Sequence, residues 1–181
     1  MQLNIINLEH RFERIENLRI ELNNQNITDF KIWKGIIDKP ICKGISKAHK
    51  QIVQYAKDNG LNEVLICEDD LQFSCKDSFK YFLDNKPKEY DIYLGNILDG
   101  VLNPDSSVNF FTGTVLYMVH SKFYDTFLSI DENKYLDTEL GSKGKCFVCV
   151  PMVACQRQGY SDNVKKIVDY SKYNSLPLLK E

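Results

Sequence analysis

Apolar and polar positions along the chain change their period several times, and each change predicts an element. QLNIINL, 2–8, reads as a strand. Over 11–23 the side chains of Phe12, Ile15, Leu18 and Leu22 recur at helical spacing, and the polar NNQN at 23–26 ends that helix. FKIWKG, 30–35, reads as a second strand. GISKAHKQIVQYAKDNG is the clearest amphipathic helix. Ile45, Ala48, Ile52, Val53 and Ala56 share one face, Ser46 is placed to cap the start, and Asn59-Gly60 stops it. The unbroken apolar run in EVLIC, 63–67, predicts a strand buried on both faces, as in a parallel sheet covered by helices. Strand, helix, strand, helix, strand is the pattern of an α/β domain.

The second half is less regular. A helix over 75–84 and a strand over 91–95 are followed by 96–109, rich in Gly, Pro, Asp and Asn, which reads as a loop or short hairpin. FFTGTVLYMV, 110–119, reads as one long strand with Gly113 as a bulge or close-approach point. Helices over 121–130 and from Leu136 precede CFVCVPMVA, 146–154, which reads as a strand. The polar, Tyr-bearing segment 163–181 is expected to pack loosely or to order with a ligand. That leaves 1–162 as one domain, and 181 residues suffice for one core with little room for a second.

Composition narrows the function classes. Lys and Arg number 23 against 25 acids, a net charge of −2, which is no surface for wrapping a polyanion, so nucleic acid is not an expected partner. The opening MQLNIINLEH reaches charge too soon for a secretory or spanning segment, and the longest apolar runs are strand-sized. A cytoplasmic protein is expected, with peripheral membrane contact left open. The six cysteines then read as free thiols. Cys146 and Cys149 lie three apart in a strand, so they are expected to point to opposite faces, which suits neither a zinc clamp nor a redox pair.

The chemistry concentrates in VLICEDDLQF, 64–73, where Glu68, Asp69 and Asp70 follow the buried strand. Open α/β sheets bind ligands outside the carboxyl ends of their strands. If the chain stays extended there, Glu68 and Asp70 share a face and Asp69 points away. Two carboxylates on one side suit Mg2+ or Mn2+, which prefer oxygen ligands and in turn bind a diphosphate. A surface turn, or acids at a helix N-terminus, fits the same three letters.

An ordered set of motifs goes further. INLEHRFER with Arg11 and Arg14, GISKAH with Gly44 and His49, VLICEDD, the Tyr-Leu-Gly at 93–95, FTGTVLYMVHSKFYDTFL, LDTEL at 136–140, and Pro151, Gln156, Ser161 and Asp162 follow one another over about residues 3 to 162. In this order they resemble glycosyltransferase family 25, which contains lipopolysaccharide-biosynthesis enzymes and collagen galactosyltransferases. Ala48 stands where that family carries Ser.

The resemblance implies a single GT-A-type domain with a mostly parallel central sheet flanked by helices. It implies an inverting transfer of a sugar, galactose or glucose, from a UDP-sugar to a hydroxyl of a glycan, lipopolysaccharide or protein acceptor. Mn2+ or Mg2+ would be held by Glu68 and Asp70, with Asp162 as a late ligand. Asn7 and Leu8 would meet the base, Arg11 and Arg14 the phosphates, Asp69 the ribose or sugar, and His49 would organise the site. Asp137, or else Glu139, would be the general base. A metal-dependent phosphoryl-transfer or hydrolytic enzyme, and a degenerate nucleotide-sugar-binding module, are the competing readings.

Overall fold

A computed structural model describes residues 1–170 and 177–180. Its eight-stranded sheet runs in the order β2-β1-β3-β8-β5-β9-β7-β6. The strands are β1 (Leu3–Asn7), β2 (Phe30–Lys34), β3 (Glu63–Glu68), β5 (Ile92–Leu94), β6 (Asp99–Leu102), β7 (Ser107–Thr112), β8 (Leu116–His120) and β9 (Cys146–Val148). All run in one direction except β8 and β7. The sheet is therefore mixed, with a parallel half built from β2, β1 and β3. A small second sheet pairs β4 (Leu71–Phe73) with β10 (Ala154–Gln156), and a hairpin joins β11 (Gly159–Ser161) to β12 (Lys166–Val168).

Two hydrophobic clusters cover the two faces. On one, Val64 and Ile66 of β3 and Tyr117 and Val119 of β8 meet α2 (Ile41–Asp58), α4 (Tyr124–Leu128) and α5 (Leu136–Lys143). On the other, Leu65 and Cys67, with Leu116 and Met118, meet α1 (Phe12–Asn24) and α3 (Ser78–Asp84). Strand alternation sends consecutive residues of β3 to opposite clusters, which explains its unbroken apolar run. Cys146 and Cys149 likewise fall in different clusters, and all six thiols are free.

Several expectations are revised. α1 buries Leu18 and Leu22, but Phe12 is 75% exposed, because the helix meets the sheet only beyond its first turn. α2 begins three residues earlier than Gly44, with Pro40 at its N-cap, so Ser46 lies inside the helix as a buried side chain and caps nothing. The segment 110–119 is two strands, broken where Gly113 takes φ +94°, a left-handed conformation that costs glycine little. The segment 96–109 is a genuine hairpin arm, β6 with the start of β7. CFVCVPMVA divides at Pro151 into β9 and β10, in different sheets, because proline has no N–H to offer a ladder. In the tail, Leu178 bridges to Met152 and Leu179 rests on the second cluster. The remainder of that tail, 171–176 and 181, lies outside the described residues.

Candidate active site

β1 and β3 end side by side, since Ile6 is paired with Glu68. β8 runs the other way, so its beginning reaches the same rim, and the Glu68 amide donates to Val115 O. The loop carrying Gly113 and Thr114 thus comes to the carboxyl end of β3. Thr114 Oγ1 donates to Glu68 Oε1 at 2.7 Å, and the Gly113 amide donates to Asp137 Oδ2 at 3.0 Å. Two adjacent loop residues bring the acids at 68–70 and the N-terminus of α5 to one site. Asp137 Oδ1 also accepts from the Thr138 amide, so the carboxylate is fixed through both oxygens.

β3 ends at Glu68, and the chain turns at once. Asp69 therefore does not point away from Asp70, as an extended chain would require. Arg14 Nη1 lies 2.6 Å from Asp69 Oδ1 and 3.0 Å from Asp70 Oδ2, while its Nη2 donates to Tyr160 O. Gln156 Nε2 donates to the same Asp70 Oδ2 at 2.9 Å. Asp70 is 4% exposed, and its Oδ1 has no hydrogen-bond partner among the described residues.

The acids are crowded. Burial, and then the charges of Asp70, Asp69 and Asp137 against the opposing Thr114 bond, push Glu68 up to about 8. Burial also raises Asp69, to about 6, with Arg14 opposing it. Asp70 is raised by burial, against Arg14 and Gln156. One guanidinium is shared between two of three neighbouring carboxylates, and the cluster remains short of positive charge. Burial disfavours the charged Arg14, but Asp70 and Asp69 outweigh it and keep the guanidinium protonated.

The other site residues fall in distinct places. Arg11 grips Asp162 through Nε at 3.0 Å and Nη2 at 2.7 Å, and lies over the Tyr160 ring. Asp162 is thus engaged by Arg11, and its charge also favours the protonated Arg14 that holds Asp70. Among the described residues, no three His, Cys, Asp or Glu side chains converge to hold an ion by themselves. His49 is buried in α2, with Nδ1 2.6 Å from the Tyr117 hydroxyl and Nε2 3.8 Å from Glu68 Oε1. Burial lowers its pKa to about 3, so it is neutral. Asn7 accepts the Gly35 amide on its backbone oxygen, and its buried side-chain Oδ1 has no partner among the described residues. Leu8 O accepts from the Arg11 amide. Glu139 lies between Lys134 and Lys143 at 3.2 and 3.4 Å, and the Lys134 bond leads in lowering its pKa.

The sequence reading did not assign Thr114 or Tyr117, and it quoted Gln156 without a role. Tyr170, near enough to feel the charges of Asp70, Glu68 and Arg14, was also missed. Thr114, Tyr117 and Gln156 had one sequence signal, their places within the ordered motifs, and Tyr170 had none.

A half-parallel sheet between helices, with an acidic turn at the end of its third strand, is an α/β architecture of the GT-A type. No family model matches the chain, and no curated protein matches it in sequence. Solved structures do match. The chain is similar to A197 from STIV at TM-score 0.58 and 11% identity, over 99% of this chain and 96% of that one. It is similar to a glycosyltransferase involved in glycosylation of the major capsid of PBCV-1 at TM-score 0.55 and 9% identity, over 96% of each chain. A mannosyltransferase from Pyrobaculum calidifontis, in complex with GDP-Man and Mn2+, matches at TM-score 0.57 and 7% identity over 90% of this chain and 58% of that one. At such identities the likeness is one of fold. Among the described residues, no helix is long and apolar enough to cross a membrane.

Proposed function

We propose that this chain is an inverting glycosyltransferase of the family 25 type, moving galactose or glucose from a UDP-sugar to a hydroxyl of a glycan, lipopolysaccharide or protein acceptor. The observation that carries the reading is the bridge at Gly113 and Thr114. It sets an acidic turn suited to a sugar-nucleotide beside a separate, fixed carboxylate, Asp137.

The residues present fit a divalent cation. Among the described residues Asp70 Oδ1 is buried without a partner, and Glu68 and Asp70 repel each other across the site. Glu68 and Asp70 would hold Mn2+ or Mg2+, with diphosphate and water oxygens as the remaining ligands. When bound, such an ion offsets the charge that grows on the departing nucleotide. Arg11 and Arg14 lie at the start of α1, where their guanidinium groups suit phosphate oxygens. The rim formed by Asn7 and Leu8 would receive the base. Asp137 would take the proton from the acceptor hydroxyl as it attacks the anomeric carbon from the face opposite the leaving group. Glu139 is the weaker candidate base, because two lysines stabilise its ionised form.

The test is calorimetric titration with UDP-, GDP- and CMP-sugars, with and without Mn2+, followed by product analysis with hydroxyl acceptors. Metal-dependent binding of one sugar-nucleotide and a glycosylated product are expected. Binding of none of them, or release of free sugar as the sole product with every acceptor, would overturn the reading.

A further inference from the structure

Asp70 has two oxygens in opposite situations. Oδ2 takes two donors, Arg14 Nη1 at 3.0 Å and Gln156 Nε2 at 2.9 Å, while Oδ1 is buried and takes none among the described residues. A carboxylate held this way cannot rotate to exchange its oxygens without breaking both bonds. Gln156 comes from β10, 86 residues away in sequence, and β10 is registered antiparallel to β4, with Gln156 opposite Leu71. The donor is thus placed by a strand pair that begins immediately after the acidic turn. The amide of Arg157, the first residue beyond β10, donates to Asp70 O at 2.7 Å and ties the Asp70 backbone to the end of that strand.

Resting on the donor-site reading above, we infer that Gln156 is a positioning residue: it clamps Asp70 Oδ2 so that Oδ1 is presented to a divalent cation. Groups that orient a metal ligand typically account for 10–100-fold in metal affinity. Arg14 contributes to the same clamp, but it also carries charge, so removing it mixes orientation with electrostatics. Gln156 is neutral. Its replacement alters the orientation of Asp70 and leaves the net charge of the site untouched.

The test uses Mn2+ alone as the probe, with free Mn2+ followed by electron paramagnetic resonance on the full chain. Gln156→Met keeps the side-chain length and loses the donor. It is expected to bind Mn2+ about tenfold or more weakly than wild type, at a temperature where its thermal unfolding curve shows it fully folded. Gln156→Ser provides the same comparison if Met disturbs the strand pair. Asp70→Asn is expected to abolish binding. If Gln156→Met and Gln156→Ser bind as wild type does while Asp70→Asn fails to bind, Gln156 is a strand residue only and the inference falls. If wild type itself binds no Mn2+, the donor-site reading falls and the positioning role falls with it.

Discussion

The Tyr117 hydroxyl lies 2.6 Å from His49 Nδ1, and both side chains are sealed from solvent. Burial, followed by the charge of Glu68, drives the Tyr117 pKa well upward, so the hydroxyl keeps its proton and can donate to Nδ1. In the tautomer that accepts from Tyr117, the neutral imidazole carries its proton on Nε2, the nitrogen 3.8 Å from Glu68 Oε1. His49 thus links the core to the acidic rim without being charged. Tyr117→Phe removes the donor and leaves Nδ1 buried and unpaired. It is expected to cost about 1–3 kcal/mol, read as a fall of roughly 2–4 °C in thermal midpoint per kcal/mol. An unchanged midpoint would show that the bond contributes nothing to the core.

The same histidine predicts a loss of stability in acid. Its pKa is about 3 in the folded chain against 6.5 when unperturbed. As pH falls through that window the unfolded chain takes up a proton first, so the folded state loses stability from near 6.5 down to about 3. His49→Gln should flatten this part of a plot of thermal midpoint against pH. A slope identical to wild type would place the acid sensitivity elsewhere.

Glu68 has the opposite sign. Its pKa rises from 4.5 to about 8 on folding, so the unfolded chain releases its proton first as pH rises. Stability is then lost progressively between those two values. Glu68→Gln keeps an oxygen for Thr114 and removes the charge. Measured by denaturant unfolding, the variant should match wild type near pH 4 and exceed it by roughly 1–3 kcal/mol near pH 8.5. Parallel curves across the range would mean that Glu68 ionises freely in the fold.

Gly44 is constrained by its neighbours. A Cβ there would lie 2.3 Å from Ile36 O and 2.9 Å from Asp38 N, both backbone atoms of the loop that crosses α2. Gly44→Ala must push that loop outward, at a cost of about 1–3 kcal/mol. Chemical denaturation measures it, and a variant as stable as wild type would show that the loop yields freely.

Asp137 separates chemistry from binding. Asp137→Asn should leave sugar-nucleotide affinity intact and lower turnover by about 10²–10⁴. Full turnover would remove Asp137 as the base.

What the sequence determined by itself is local and periodic. The doubly buried β3, the apolar face of α2 and the acids beyond the strand all follow from spacing, because burial on one or two faces imposes its period on consecutive residues. The tertiary structure decided the rest. Phe12 and Ser46 each had the right neighbours for a role, but where a helix begins and where it meets the sheet depend on its packing partners. Asp69 turned back toward Asp70 because Arg14, 55 residues away, was there to share between them. Thr114 and Gln156 reached the site only because a strand break at Gly113 and the pairing of β10 with β4 carried them there. Hydrogen bonds between residues so far apart depend on the placement of whole elements, which no local pattern of residues records.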